Sequence, residues 1–407
     1  MADATLPDVS SLPPLPEEWT YVALEELLEP KGISYGIVQP GASVPDGIPI
    51  IRVKDLKGGR VVQRDPLRVS PEVEAKYSRT RLRGGEVLLS LVGSVGETAI
   101  ATDELAGWNV ARAIGVLRAA NQVSAQWIRT CLSAEVAQRY MQARLNTTVQ
   151  ATLNLRDVRK IPIVVPPQRD RKAITAILEV LDDKLSLNER IAITADSLIS
   201  ASMQEVAMKM PGEFTEQALS SMADFVNGRA FTKGASGAGR MVVRIAEINS
   251  GPGPSTVYND IDVPDRHLAR PGDVLFSWSG SLTVARWYRQ EAIINQHIFK
   301  VVPRGDRPMW LVAELVRSKL AEFRAIAADK ATTMGHIQRR HLDGPVVAPS
   351  VAMTRKLDAH LGPLWDRALS AEQESLRLAA LRGTLLPQLM SGKLRVRDAE
   401  RILEDAV

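Results

Sequence analysis

Gly85-Glu86-Val87-Leu88-Leu89-Ser90, followed by Gly93-Ser94, is repeated far downstream as Gly272-Asp273-Val274-Leu275-Phe276-Ser277, followed by Gly280-Ser281. Each copy is a glycine turn, an acid, an apolar run of strand length and a second glycine turn. The doubling extends both ways. Ile50-Ile51-Arg52-Val53-Lys54-Asp55-Leu56 matches Val242-Val243-Arg244-Ile245-Ala246-Glu247-Ile248, Asn109 matches Asn295, and Pro166 matches Pro349. Order is kept, and the separation drifts only from 192 residues at the arginines to 183 at the prolines. A repeat this long constrains the architecture before any single element is assigned.

Each copy has the same layout. Short strands are expected at residues 50–53, 87–91 and 114–117, separated by glycine turns. A helix near 127–144, a polar stretch and the valine-rich run 161–167 follow; 310–327 and 345–349 repeat them. After each proline comes a long helix, at 170–208 and 351–390. Leu357, Leu361, Leu364, Ala368, Ala371, Ser375 and Leu378 form a heptad seam on the second. Ile174, Ile177, Leu178, Leu181 and Leu185 begin a similar stripe on the first, which weakens at Asn188. Gly362-Pro363 predicts a break, because proline removes a helical hydrogen bond. A helix of about 40 residues spans roughly 60 Å. Its apolar stripe needs cover, from the other helix or from a third protein. The fold class is therefore α/β: two repeated globular units separated by two long antiparallel helices, coiled-coil-like.

At 407 residues the chain exceeds one ordinary core. Its hydrophobic and charged fractions, 45% and 24%, are those of a globular protein rather than a disordered one. A net charge of +4 permits a polyanionic partner without demanding one. The single cysteine, Cys131, excludes an internal disulfide and reads as a buried thiol. The acidic, proline-rich start lacks a secretory pattern, and no apolar run approaches a membrane span, so a cytoplasmic location without membrane contact is expected. Two like units at fixed separation suit a linear target such as DNA.

Several stretches together carry a family likeness: Leu15-Pro16-Glu17-Glu18-Trp19, the two glycine-strand motifs, Leu153-Asn154-Leu155 through Ile163-Val164-Val165-Pro166, Asn295-Gln296-His297-Ile298-Phe299-Lys300-Val301, and Leu385-Leu386-Pro387-Gln388-Leu389-Met390-Ser391-Gly392-Lys393-Leu394. In this order, doubled, with a long helix after each, the chain resembles the specificity subunit of type I restriction-modification enzymes over nearly its whole length. The resemblance implies target-recognition domain 1 at 1–166, a central conserved helix at 167–210, target-recognition domain 2 at 211–349, and a C-terminal conserved helix and tail at 350–407. Each recognition domain would resemble that of certain adenine methyltransferases and read one half of a bipartite site on double-stranded DNA. The helices would dock two modification (methyltransferase) subunits, and restriction/translocase subunits would join them. S-adenosylmethionine, ATP and magnesium would belong to those partners, with no cofactor in this chain. Asn109-Val110-Ala111-Arg112 replaces the Asn-Gln-His of the second copy, so the halves are expected to read different sequences.

No catalytic motif is visible. The phosphate-loop glycine pattern is absent, as is the Asn-Pro-Pro-Tyr or Asp-Pro-Pro-Tyr tetrapeptide that adenine methylation would demand. The five histidines lack metal-ligand spacing; His336 and His341 have no intervening glutamate of a zinc-helix motif. The expectation is a non-catalytic binding subunit. An enzyme with an unrecognised active site, methyltransferase or endonuclease, and a bridging adaptor that binds no DNA are the alternatives.

Candidate DNA contacts lie in polar loops. Lys330, Thr332, Thr333, His336, Gln338, Arg339 and Arg340 form the densest cluster, and Asn146, Thr147, Thr148, Gln150, Thr152, Asn154 and Arg156 stand at the equivalent place in the first copy. Arginine and lysine suit phosphates and guanine edges, and glutamine suits adenine. Lys31, Ser34 and Tyr35, in a loop at 31–36, match Arg229, Thr232 and Lys233 at 227–234. Arg52 and Arg244 either face DNA or pair with an internal acid. Ser94 and Ser281 follow glycine in the tight loops. Trp278 belongs to the core or lies against a sugar or base. Lys54, Lys57 and Arg60 suit a phosphate-facing edge. Asp182, Asp183, Glu189, Glu372 and Glu374 read as solvated helix faces or docking charges.

Overall fold

The computed structural model describes residues 12–62, 65–146, 150–329 and 335–406. The chain divides into two compact units, Met1–Asp183 with Ala380–Val407, and Lys184–Ala379.

In the first unit a four-stranded antiparallel sheet runs in the order Leu28–Tyr35, Ile114–Ala119, Val87–Ser90, Thr98–Ile100. A second sheet orders Leu67–Val69, Ile48–Ile51 and Asn109–Val110, the last two parallel. A two-stranded ribbon pairs Thr20–Ala23 with Pro162–Val165. The second unit repeats this path. Its four-stranded sheet is Ala223–Asn227, Ile298–Pro303, Val274–Ser277, Thr283–Arg286. Its second sheet holds Val257–Asn259, Arg240–Val243 and Ala292–Ile294, again with one parallel pair, plus Leu268–Ala269 at the edge. Its ribbon joins Phe214–Ala218 to Pro345–Pro349. The duplication read from the sequence is thus a duplication of topology. The central strands Val87–Ser90 and Val274–Ser277 are buried at every residue, which is why they read as unbroken apolar runs.

Local chemistry sets the strand ends. The strand expected at 50–53 is Ile48–Ile51, and it stops because Arg52 begins a helical turn. The Asp55 carboxylate accepts the Arg52 backbone N–H at 2.8 Å and its Nε at 3.1 Å. Glu247 does the same for Arg244, at 2.9 and 3.1 Å, and also takes Nη2 at 2.6 Å. This is one N-terminal cap built twice, in which an acid at the third helical position accepts the N–H of the arginine that precedes the helix. The helices expected at 127–144 and 310–327 are each two: Ala125–Ser133 with Glu135–Gln142, and Met309–Ser318 with Leu320–Asp329. Ala134 is extended between the first pair, so the chain turns there.

The long helices are Gln168–Lys209 and Val351–Met390. The break expected at Gly362-Pro363 is absent: the helix continues through it, with Leu361 and Trp365 buried in the core on either side. Proline deletes a single N–H donor, and the packed flanks hold the remaining turns. Within the second unit, Asn188 meets Glu374 and Ala195 packs with Ala368, so the helix segments run antiparallel. In the first unit Asp182 accepts from Arg382 at 2.6 Å and from buried Arg129. Glu372 of the second unit takes both Nε and Nη2 of Arg286, whose side chain is 1% exposed and stacks 4.2 Å from the Trp365 ring. Asp182, Glu372 and Glu374 are therefore internal anchors rather than solvated charges, a correction with one cause: each faces a cation or amide supplied from another element.

Glycine is obligatory at Gly36 and Gly228, where a Cβ would overlap the carbonyl oxygens of Val110 and Asn295. Gly228→Ala is expected to destabilise the second unit by about 1–3 kcal/mol through forced separation of the two strand ends, read as a lower urea midpoint. Burial opposes ionisation of Glu247, but the bonds from Arg244, the Arg244 backbone N–H and Thr256 prevail and hold its carboxyl below the ordinary glutamate value of 4.5. A depressed carboxylate stabilises fully above that value and loses its contribution as pH falls through the folded-state value. Urea midpoints measured from pH 7 downward should therefore fall less steeply in acid for Glu247→Gln than for the native chain.

Candidate nucleic-acid interface

Sheet register gathers the polar loops at one end of each four-stranded sheet. In the first unit Gly115 pairs with Tyr35, Ile114 pairs with Ser90, and Leu89 pairs with Thr98. The segment after Tyr35, the turn before Ile114 and the loop after Ser90 must then share that end. The loop is braced from within: Ser90 Oγ donates to the Ser94 carbonyl and accepts the Glu97 N–H at 2.8 Å. Gly93 N–H donates to the Ala151 carbonyl, and Leu153 N–H to that of Leu91, each at 2.9 Å. The returning segment at 150–156 is thereby laid along the loop. It delivers exposed Gln150, Asn154 and Arg156 beside exposed Ser94. Tyr35 joins them by accepting the Leu155 N–H on its hydroxyl at 3.2 Å.

The second unit builds the same frame. Ser277 Oγ donates to the Ser281 carbonyl and accepts the Thr283 N–H at 2.9 Å. Gly280 N–H donates to Gly335, and Ile337 N–H to Trp278, each at 3.0 Å. Gln338 caps the short helix Arg339–Asp343 just as Asn154 caps Leu155–Arg159, and neither side chain makes the cap bond. Gln338, Arg339 and Arg340 are exposed and stand where Asn154, Leu155 and Arg156 stand. His336 forms a bridge with Ser279, and its ring lies 6.2 Å from Trp278. Trp278 is half-buried on this surface, 5.9 Å from Phe299 beneath and bonded through Nε1 to Asn227 Oδ1 at 3.0 Å. Arg229 is exposed and bridges to Asn295. Burial first, then the cations Arg229 and Arg266, hold the His267 imidazole below its ordinary value, so the positive charge at that edge belongs to the arginines.

Other candidates fall differently. Thr148, Lys330, Thr332 and Thr333 lie outside the described residues, as does Thr147. Lys31 and Tyr35 are not in a loop but on the strand Leu28–Tyr35. Lys31, at φ 60°, sits in the stretch where that strand and its partner change register; of the glycines that suggested a loop, Gly32 falls in that stretch, while Gly36 packs against Val110 at the strand end. Lys233 is exposed in the turn beyond Phe231. Of the alternatives open to Arg52 and Arg244, the geometry gives internal pairing, with Asp55 and Glu247, and each also donates to a backbone carbonyl, Asp65 or Ser255. Lys54 is exposed on the turn after Arg52. Arg60 pairs with Asp183 at 2.8 Å.

Backbone bonds also correct two matches between the copies. Gly36 and Gly228 are equivalent, since they donate to Ile114 and Ile298 respectively. Tyr35 therefore corresponds to Asn227, and Ile37 to Arg229. Ala111 and Asn295 both donate to the strand carrying the arginine cap, at Ile51 and Val243. The partners of Asn295-Gln296-His297 are thus Ala111-Arg112-Ala113, two residues later than the sequence match at Asn109. Asn109 is instead a buried residue bonded to Glu74 and the Tyr77 carbonyl, each at 3.1 Å. Among the described residues no three His, Cys, Asp or Glu side chains converge as a metal site, and no helix is long and apolar enough to cross a membrane.

Residues 16–195 match the family model of the type I restriction modification DNA specificity domain. The specificity subunit of the type I restriction enzyme EcoBI, from Escherichia coli, is 26% identical over 217 residues, which are 53% of this chain and 46% of that protein. The match thus spans about half the length of that curated relative. The S subunit of a type I restriction-modification system from M. genitalium superposes with a TM-score of 0.54 at 13% identity, over 95% of this chain and 99% of that one, a likeness of fold. Through residues 16–195 the chain is thus similar to the type I restriction modification DNA specificity domain.

Proposed function

We propose that the chain is the DNA specificity subunit of a type I restriction-modification complex. Each unit reads one half of a bipartite site on double-stranded DNA, through the loops at the end of its four-stranded sheet. The carrying observation is one backbone frame built twice and dressed with different side chains. A frame kept while its loop residues change is what two readers of different half-sites require. Exposed Arg156, Arg229, Arg339 and Arg340 supply phosphate or guanine contacts, and Gln150, Asn154 and Gln338 supply amides suited to adenine. Thr148, Lys330, Thr332 and Thr333 extend the same segments in the sequence. The recognition regions are read as 1–166 and 211–349, with the long helices as the docking surface for two modification subunits and for restriction subunits. The chain itself is read as non-catalytic and cytoplasmic. Methyl transfer with S-adenosylmethionine, and ATP- and magnesium-dependent translocation, belong to the partners.

Mapping of methylated adenines in cells with and without this chain tests the proposal: a bipartite motif should vanish with the chain. Purified chain given S-adenosylmethionine and mixed DNA should leave the DNA unlabelled, and labelling would instead make it an enzyme. Binding should weaken steeply with salt through counterion release; no retention on DNA at any salt, with partners present, would favour a protein-bridging adaptor.

Two replacements check the division of labour. Arg339→Ala with Arg340→Ala should weaken binding or relax one half-site only; unchanged methylation of the native motif would remove this loop from the reading face. Exchange of residues 211–349 for those of a relative should change one half-site and leave the other, measured by the same mapping.

A further inference from the structure

We infer that Arg112 reads a guanine in the half-site recognised by the first unit, and that its counterpart Gln296 holds the equivalent place in the second. The inference rests on the function proposed above.

Arg112 sits in the turn between Asn109–Val110 and Ile114–Ala119, at the loop end of the four-stranded sheet. Its backbone is held on every side. Ala111 N–H donates to Ile51 at 2.9 Å, Arg112 N–H to Ile37 at 2.8 Å, and the Ala113 carbonyl accepts from Leu91 at 2.7 Å. The turn therefore lies between the strand end after Gly36 and the loop that carries Ser94. The side chain is exposed, and no acid among the described residues is within ion-pair distance of it. Arg52, on the neighbouring cap, shows the contrast: its guanidinium is committed to Asp55.

A free guanidinium on a rigid turn can serve a phosphate or a guanine edge, and the comparison between units separates these. Position 296 is glutamine. A phosphate-binding position gains its affinity from charge and should keep a cation in both units. A base-reading position should change donor and acceptor pattern when the base changes. Arginine matches the two acceptors of guanine, O6 and N7, whereas Gln296 brings no charge to a phosphate and is half-buried, its Oε1 enclosed without a partner among the described residues. The conserved frame around an unconserved side chain favours base reading.

The test uses the assembled modification complex carrying Arg112→Ala, Arg112→Lys or Arg112→Gln, with methylation mapping, binding across a series of substituted duplexes and a salt series. Arg112→Ala should lose discrimination at one guanine of the first half-site by about 5- to 150-fold, with the second half-site unchanged. Arg112→Lys keeps the charge and stem but not the two-pronged fork, so it should also relax that position, and Arg112→Gln should shift it toward adenine. Unchanged discrimination in all three variants overturns the inference. So does uniform weakening across sequences with a shallower salt slope and rescue by lysine, which would make Arg112 a phosphate contact. A loss of thermal stability with intact discrimination overturns it as well, as a packing role. If the native complex methylates no bipartite motif, the proposed function itself fails, before any variant is compared.

Discussion

In the second unit the apolar core does not end at the sheet. Phe225, Val274, Phe276 and Phe299 from the strands, Trp310 and Phe323 from the short helices, and Ile199, Met203, Leu357, Leu361 and Trp365 from the long helices form one buried cluster. A close-packed interior does not allow one wall to swivel against another without opening voids. The loops at the sheet end therefore take their direction from the helix segments beneath. Arg286 tightens the same junction: a guanidinium withdrawn from water must be paired on all sides, and Glu372, Asp196 and Trp365 provide this from two helices. The first unit solves the problem with different residues, joining Arg129 on a short helix to Asp182 and Arg382 on the long ones. On the proposed function, a head so mounted would convert a choice of bases into a fixed docking geometry for whatever those helices hold.

The repeat was legible because it lies in buried strands, where side-chain type is dictated by the sheet. Val87–Ser90 and Val274–Ser277 stand within the runs that periodicity marks. The short parallel pairing of Ile50 with Asn109 and of Val242 with Ile293 was not legible. Parallel pairing joins strands far apart in sequence and leaves no local pattern. Matching Asn109 to Asn295 followed residue identity, whereas the backbone aligns the turns two residues later. The caps at Arg52 and Arg244 did carry a local mark, an acid three residues on in both copies, which explains the pairing with Asp55 and Glu247. No such mark announces that Glu372 belongs to Arg286, since 86 residues separate them.

The candidate interface was legible in part for the same reason. Polar residues before the final strand stand out as a composition, and the frame brings Gln150, Asn154 and Arg156, or His336, Gln338, Arg339 and Arg340, to the sheet end. Arg112 was legible only as part of the run 109–112 that departs from Asn-Gln-His, and a lone arginine between alanines did not mark itself as a contact. Only the bonds at Ile51, Ile37 and Leu91 reveal how firmly it is presented.

Asn188 is a polar residue inside an apolar seam, 1% exposed, with its Nδ2 on Glu374 at 2.8 Å and Lys184 beside the same carboxylate at 3.3 Å. Sliding one helix by a turn would leave the buried Asn188 amide nitrogen without its acceptor, at about 1–3 kcal/mol. Small alanines at 192, 195 and 368 would tolerate such a slip, because they interlock weakly with their neighbours. The asparagine acts as a key in a keyway: it yields little adhesion but leaves the shaft one setting.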